Sequence, residues 1–192
     1  MINEVESYIR DYFGIRGSDQ SEMGDLFEFQ TLERQEFLLR TGQYSRSLSF
    51  LKNGYLRVYA TDDRGEKEIT QWISTPGSFV ADLSSFTFNI PARWNIQALT
   101  HCELYTITQE HYQQIDTVVN NWREIEKRFL VKCFVTLEQR VFQQLSMSAE
   151  EKYQALFEMN PDMFNRVPLQ YIASMLGMSP ETLSRIRRKR TS

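Results

Sequence analysis

The chain has 192 residues, 41% of them hydrophobic and 24% charged, with only 8 Gly and 5 Pro; this excludes a disordered tail or a collagen-like fibre and predicts one or two folded domains. Its 22 Lys and Arg against 25 Asp and Glu give a formal charge of −3, which as an average argues against a nucleic-acid or acidic-membrane partner. By position the charge divides: residues 163–192 hold six bases (Arg166, Arg185, Arg187, Arg188, Lys189, Arg190) against Glu181 alone, net +5, and residues 1–162 carry −8.

No run of about 18 apolar residues is present, so no membrane partner is expected. The acidic opening Met1–Glu6 predicts no secretory leader. Cys102 and Cys133 lack metal-site spacing and are too few for a disulfide framework, which points to a reducing cytoplasm. His101 and His111 are too few for the His clusters of metal-dependent barrel enzymes. Neither metal nor cofactor is expected, and no enzymatic activity.

Val5, Tyr8, Ile9, Tyr12 and Phe13 recur at helical spacing and predict an amphipathic helix stopped at Gly14 and Gly17. A second short helix is predicted across Ser21–Leu32, with Gly24 weakening it. From Glu36 to about Ile107 the pattern changes to short strands between turn residues. Phe37–Leu39 leads to Gly42; Leu48–Leu51 and Tyr55–Tyr59 flank Asn53-Gly54, a strong hairpin signal. A second turn at Asp62–Gly65 precedes Lys67–Ile73, and Ile96–Leu99 and Leu104–Ile107 close the set. Strands at this spacing predict a β-sandwich or barrel.

A short helix opens at Thr108 and a long one runs from about Asn120 to Leu145. Its apolar residues form two tracks: Trp122, Ile125, Phe129 and Cys133, then Leu130, Phe134, Leu137, Val141 and Leu145. Two stripes exceed what covering one β-domain requires. One is expected to pack on the barrel and the other to pair with the same helix of a second subunit, ahead of the alternative that both are internal core. Ile125, Phe129, Leu130, Cys133, Phe134, Leu137 and Val141 are the candidate dimer-helix residues. Ser148-Ala149-Glu150-Glu151 reads as a capping box opening a further helix that ends near Asn160-Pro161.

The segment Pro168–Ile186 carries the most information. Pro168 suits a first helical turn, Gly177 a left-handed turn, and Ser179 an N-cap followed by Pro180 at the first helical position. Ile172, Ala173, Leu176, Leu183 and Ile186 supply the inner faces, so the segment reads as a helix-turn-helix. The candidate base-reading residues are Ser179, Pro180, Glu181, Ser184 and Arg185: Arg185 can donate twice to guanine and Glu181 can accept from cytosine. Thr182, Arg187, Arg188, Lys189 and Arg190 are the candidate phosphate contacts.

This order of a β-rich domain, a long helix and a terminal helix-turn-helix resembles the Crp-Fnr family of bacterial transcription regulators. The resemblance is carried by Phe37–Gln43, Leu48–Tyr59, Gly77–Leu83 (similar to the start of a phosphate-binding cassette) and Glu181-Thr182-Leu183-Ser184-Arg185. It implies an α+β protein with three parts: a cyclic-nucleotide-binding-like jelly roll (double-stranded β-helix) with flanking helices over residues 1–118, a dimerisation helix over 119–146, and a winged-helix-like helix-turn-helix domain over 147–192. Double-stranded DNA and a second copy of the chain are the implied partners; RNA polymerase and an unidentified small-molecule effector are further partners that it admits.

The ligand site departs from the family pattern. Asp82 stands where a ribose-binding Glu is expected, Ala81 replaces a Gly, and the phosphate-Arg position falls on Ala92, with Arg93 one residue late and Trp94 where a small residue belongs. A one-residue slip on an extended strand turns the side chain to the other face, so only a bulge or a shifted loop would return Arg93 to the pocket. The candidate effector residues are Phe79, Asp82, Leu83, Arg93 and Trp94, and cyclic AMP is not the expected ligand. Iron–sulfur sensing lacks its N-terminal cysteines and haem sensing a suitable histidine. The expected function is sequence-specific regulation of transcription by a cytoplasmic homodimer on an inverted repeat; the alternative is a small-molecule sensor acting through protein contacts. Residues Pro161–Val167 are short for a full β-wing, and the sequence leaves that element open.

Overall fold

The computed structural model describes residues 4–191, with side chains through Lys189. Helix α1 (Glu4–Phe13) buries Val5 and Ile9 and ends where Gly14 takes a φ of 74°. Helix α2 is shorter and earlier than predicted, Ser18–Gly24, and the chain then turns through Asp25–Phe27 into strand β1 (Glu28–Leu32). The expected helix across Ser21–Leu32 is thus half strand. β1 lies at a sheet edge and shows largely polar or exposed positions on both faces, so the segment lacks the apolar alternation that marks a strand.

The remaining strands are β2 (Phe37–Leu39), β3 (Ser47–Asn53), β4 (Leu56–Thr61), β5 (Glu68–Ser74), β6 (Phe79–Val80), β7 (Asn95–Ala98) and β8 (Cys102–Thr108), with the short helix α3 (Leu83–Phe88) between β6 and β7. They form two four-stranded antiparallel sheets, ordered β1-β8-β3-β6 and β2-β7-β4-β5. Leu39, Leu51, Leu56, Val58, Val80, Ile96, Ala98 and Leu104 fill one buried cluster of this β-domain.

The Asn53-Gly54 turn does not close a hairpin. β3 pairs with β8 and β6 while β4 pairs with β5 and β7, so Gly54 carries the chain from one sheet to the other. Its φ is 94°, and a Cβ there would stand 2.4 Å from the His101 carbonyl oxygen. Both the angle and the close approach require glycine. The second turn does close a hairpin, β4–β5, with Asp62 Oδ1 accepting the amides of Glu66 and Lys67.

Helix α4 (Gln109–Val118) leads to the long α5 (Trp122–Ser146). Trp122 and Phe129 are buried against the β-domain and α1, the Phe129 ring lying 5.0 Å from both Phe13 and Phe79. Helix α6 (Ala149–Met159) opens on the predicted box, Ser148 Oγ accepting the Glu151 amide while the Glu151 carboxylate accepts the Ser148 amide. One turn of helix, α7 (Met163–Arg166), occupies the segment between Pro161 and Val167, in place of a β-wing. Helices α8 (Leu169–Met175) and α9 (Pro180–Thr191) complete the chain. Tyr55, Ile73 and Leu99 of the β-domain share a buried cluster with Tyr153, Phe164, Ile172, Leu183 and Ile186, so the C-terminal helices are packed onto the sheets.

Candidate nucleic-acid interface and effector cavities

Helices α8 and α9 meet across a turn whose geometry follows from three residues. Gly177, at φ 71°, reverses the chain; the Met178 amide donates back to the Ala173 carbonyl, satisfying an end group of α8. Ser179 then caps α9, its Oγ accepting the Thr182 amide at 3.2 Å. Ile172, Ala173, Leu176, Leu183 and Ile186 are buried between the helices and their neighbours. Ser179, Pro180, Glu181, Arg185, Arg188 and Lys189 are exposed, and Thr182, Ser184 and Arg187 are half-buried. The side chain of Arg190 lies outside the described residues. Glu181, Ser184, Arg185 and Arg188 recur at 3, 4 and 7 residues and so share one helical face. Hydrogen bonds from its own amide and from Ser179, with Arg185 nearby, hold the Glu181 carboxyl below its usual range, so it is an anion and a pure acceptor at neutral pH.

On α5 the two predicted stripes separate. Ile125 and Cys133 are half-buried and Phe129 is buried, all turned toward the body of the same chain. The aromatic cluster of α1 and β6 covers Phe129, Ile125 packs against the buried cluster that includes Trp122, and Cys133 lines a cavity beside Tyr12 and Phe79. Leu130, Phe134, Leu137, Val141 and Leu145 are exposed, Phe134 at 60%, and Val131, Val135 and Phe142 widen the same apolar face.

The five candidate effector residues do not converge. Asp82 is buried as the N-cap of α3: Oδ1 accepts the Ser85 amide at 3.0 Å and the Ser84 hydroxyl at 2.7 Å, while Oδ2 accepts the Arg93 amide at 3.0 Å. Burial pushes its carboxyl up, but these bonds together with that from the Trp94 amide bring it below the usual range. The Arg93 side chain is exposed, its guanidinium 5.1 Å from the Trp94 ring centroid. Ala92, at the phosphate-Arg position, is buried and bonded through its backbone to Gly42 and Gln43. No bulge returns Arg93 to the interior, and the Asp82 oxygens are taken up by α3 and the Arg93 amide.

Phe79 and Leu83 line a cavity of about 300 Å³ between β5, β6 and α5, with Tyr12, Trp72, Leu137 and Arg140. Arg140 stacks 3.5 Å from the Trp72 ring centroid and donates to the Gln71 carbonyl at 2.8 Å; burial lowers its pKa to about 10. A second cavity, about 450 Å³, lies between the β2–β3 loop, β6 and β7 and is lined by Leu39, Tyr44, Arg46, Val80, Ala81 and Ile96. No carboxylate lines either one. Sequence reasoning misses Arg46 and Arg140; only the position of Arg140 on the inward track of α5, seven residues after Cys133, points to it. Among the described residues no group of three His, Cys, Asp or Glu side chains could hold a metal ion, and no helix is long and apolar enough to cross a membrane.

Residues 29–116 match the family model of the cyclic nucleotide-binding domain. No curated protein sequence matches the chain. Among solved structures it is similar to the c-di-GMP responsive global regulator CLP of Xanthomonas campestris, at TM-score 0.63 and 17% identity over 90% of each chain. It is also similar to a transcriptional regulator described as Crp/Fnr-family from Eubacterium rectale, at TM-score 0.68 and 17% identity over 95% of this chain and 87% of that one. A protein from Ruegeria pomeroyi described as cyclic nucleotide binding gives TM-score 0.69 and 19% identity over 98% and 88%.

The fold is that of the Crp/Fnr regulators. Within the Crp/Fnr-type frame the β-domain match spans β1 to α4, and α8 and α9 lie beyond it.

Proposed function

We propose that the protein is a sequence-specific DNA-binding transcription regulator of the Crp-Fnr type. Its β-domain is a jelly roll without a working cyclic-nucleotide site, and its α8–turn–α9 unit is a helix-turn-helix. The observation that carries this reading is the exposed face of α9. There an ionised acceptor (Glu181), a hydroxyl (Ser184) and a fork donor (Arg185) stand together near the N-terminal end, with Arg188 and Lys189 toward the other end. That is the donor and acceptor set that reads base edges, followed by the charge that holds phosphates.

The exposed stripe of α5 supports a homodimer, since a face with Phe134, Leu137 and Val141 in water has no other cover among the described residues. In the dimer two α9 helices read half-sites about one DNA turn, roughly 34 Å, apart, and the operator is an inverted repeat. On this reading the protein acts in the cytoplasm, and RNA polymerase is a partner that the reading admits. An effector would be small and not a cyclic nucleotide monophosphate.

Selection of duplexes from a random pool, followed by competition against random duplex, tests the reading. An enriched inverted repeat that outcompetes random DNA at least 10³-fold supports it. Equal retention of all sequences would leave α8 and α9 as a packing unit and the protein as a sensor that acts through protein contacts.

A further inference from the structure

Strand β5 forms the edge of its sheet, and an edge strand presents backbone groups that need a partner. Here helix α8 supplies one: the Thr70 amide donates to Ser174 Oγ at 3.0 Å. Beneath that contact lies Arg57 of β4, only 2% exposed. Its Nε donates to Thr70 Oγ1 at 2.9 Å and its Nη1 to Glu68 Oε2 at 2.6 Å. The guanidinium plane is sandwiched, 4.0 Å from the Tyr59 ring centroid and 3.9 Å from that of Tyr171 on α8. From the other side Gln144 of α5 donates to the Met175 carbonyl at the end of α8. The groove bounded by Arg57 and Tyr171 continues to Ser179 and Pro180, the first residues of the base-reading end of α9.

We propose that Arg57 is a positioning residue for DNA reading: held between Tyr59 and Tyr171, it fixes α8 on the β4–β5 hairpin and so sets the direction in which α9 is presented. The proposal rests on the DNA-reading assignment above and adds the part of the β-domain that controls it. α8 and α9 share a buried core through Ile172, Ala173, Leu183 and Ile186, so they turn as one body. A rotation of about 10° at the joint moves the far end of α9, 12 residues and roughly 18 Å long, by about 3 Å. That displacement is comparable to a base-pair step, enough to take a bidentate contact off its base. Arginine suits the joint because its flat guanidinium offers two faces to the rings while its edge donates to Thr70 and Glu68; the ammonium of lysine cannot do both.

Two measurements on the full-length protein test this. One is amide exchange at Thr70, which reports whether α8 is seated; the other is the ratio of affinities for a duplex enriched by the wild type and for random duplex. Arg57→Lys and Tyr171→Ala are each expected to speed Thr70 exchange at least tenfold and to lower the ratio at least tenfold, with Leu104 exchange in β8 unchanged. Tyr171→Phe, which keeps the ring, is expected to match the wild type. Tyr171→Ala leaves the sheet untouched and so keeps the test valid if Arg57→Lys does not fold. Unchanged Thr70 exchange in both variants, or faster exchange with the ratio kept or raised, overturns the role of Arg57. A wild type that enriches no sequence overturns instead the DNA-reading assignment on which the role depends.

Discussion

Asp82 and Arg93 are joined through the backbone amide of the arginine, 3.0 Å from Asp82 Oδ2, while the guanidinium lies out over Trp94. Of the two residues that by type would hold a ribose hydroxyl and a phosphate, Asp82 therefore spends its carboxylate on α3 and the loop that connects α3 to β7, and Arg93 contributes only its backbone amide there while its guanidinium is exposed. Asp82 closes that loop and caps α3 at once, and no ligand can take its oxygens without undoing both.

Asp82→Asn should accordingly act on stability rather than on a ligand. An amide nitrogen turned toward the Arg93 and Trp94 amides sets donor against donor, and a cap is weakened at the same time, for a loss of about 2 kcal/mol. The pH dependence has a definite sign. The carboxyl lies lower in the folded protein than its ordinary value of 3.8, so its contribution is complete well above pH 4 and is lost as the pH falls through and below that value. Urea unfolding of wild type and variant at pH 7 and at pH 3.5 should show the difference between them shrinking at the lower pH. A constant difference would remove the charge from the account. Calorimetric titration of the wild type with cyclic AMP should show no binding.

Gly54→Ala should be among the most damaging small substitutions in the chain. A φ of 94° costs an L-residue roughly 1–2 kcal/mol, and a Cβ 2.4 Å from the His101 carbonyl and 2.6 Å from Cys102 Sγ must push a buried strand aside for roughly 1–3 kcal/mol more. Gly65→Ala is the control, since a Cβ there meets nothing within 4 Å although the φ is also positive. A thermal-melting difference between the two variants isolates the packing cost; equal losses would assign all of it to backbone strain.

The same residue shows where the sequence is legible and where it stops being so. Asn53-Gly54 announces a turn correctly, but a dipeptide carries no information on which strands flank it in the same sheet, and here the partners are β8 for β3 and β5 for β4, both further along the chain. Helix α5 and the α8–α9 turn were legible because periodicity, caps and Gly177 act within a few residues. β1 was not, because edge position relieved it of the apolar alternation that marks a strand. Arg57 and Arg140 look like ordinary charged residues until segments distant in sequence bury them, so their contacts exist only in the tertiary structure, whereas Asp82 is conspicuous in the sequence as a ligand candidate and its local N-cap on α3 is the part that the resemblance hides.

The exposed stripe of α5 makes a prediction about assembly. In water Phe134, Leu137 and Val141 leave an apolar face whose burial against its symmetry mate is favourable by about 25 cal/mol per Å². The wild type should sediment at twice its 22.8 kDa chain mass. Phe134→Glu should shift it to the monomer without unfolding it, because the side chain is 60% exposed and belongs to none of the buried clusters. Phe129→Glu should instead unfold the region of α1 and β6, since that ring is buried among Tyr12, Phe13 and Phe79. A dimeric Phe134→Glu variant would place the interface elsewhere.

The face of α9 makes two predictions that differ in kind. Arg185 stands one turn after Glu181, near the end that the proposed reading places in the groove, so Arg185→Ala should cost about 1–3 kcal/mol on the selected duplex, much less on random duplex, and relax preference at one base pair of each half-site. Lys189 is exposed and lies about one turn beyond Arg185, where the proposed reading has α9 leave the bases and meet the phosphate backbone. Lys189→Ala should weaken binding to all sequences alike and flatten the dependence of log affinity on log salt by roughly 0.9 for each phosphate no longer neutralised, about two in a dimer. Measuring both variants on both duplexes at several salt concentrations separates the roles, because a base contact changes the ratio of affinities and a phosphate contact changes the slope. If Arg185→Ala changed the slope and left the ratio intact, the reading end of the helix would have to be sought nearer its C-terminus.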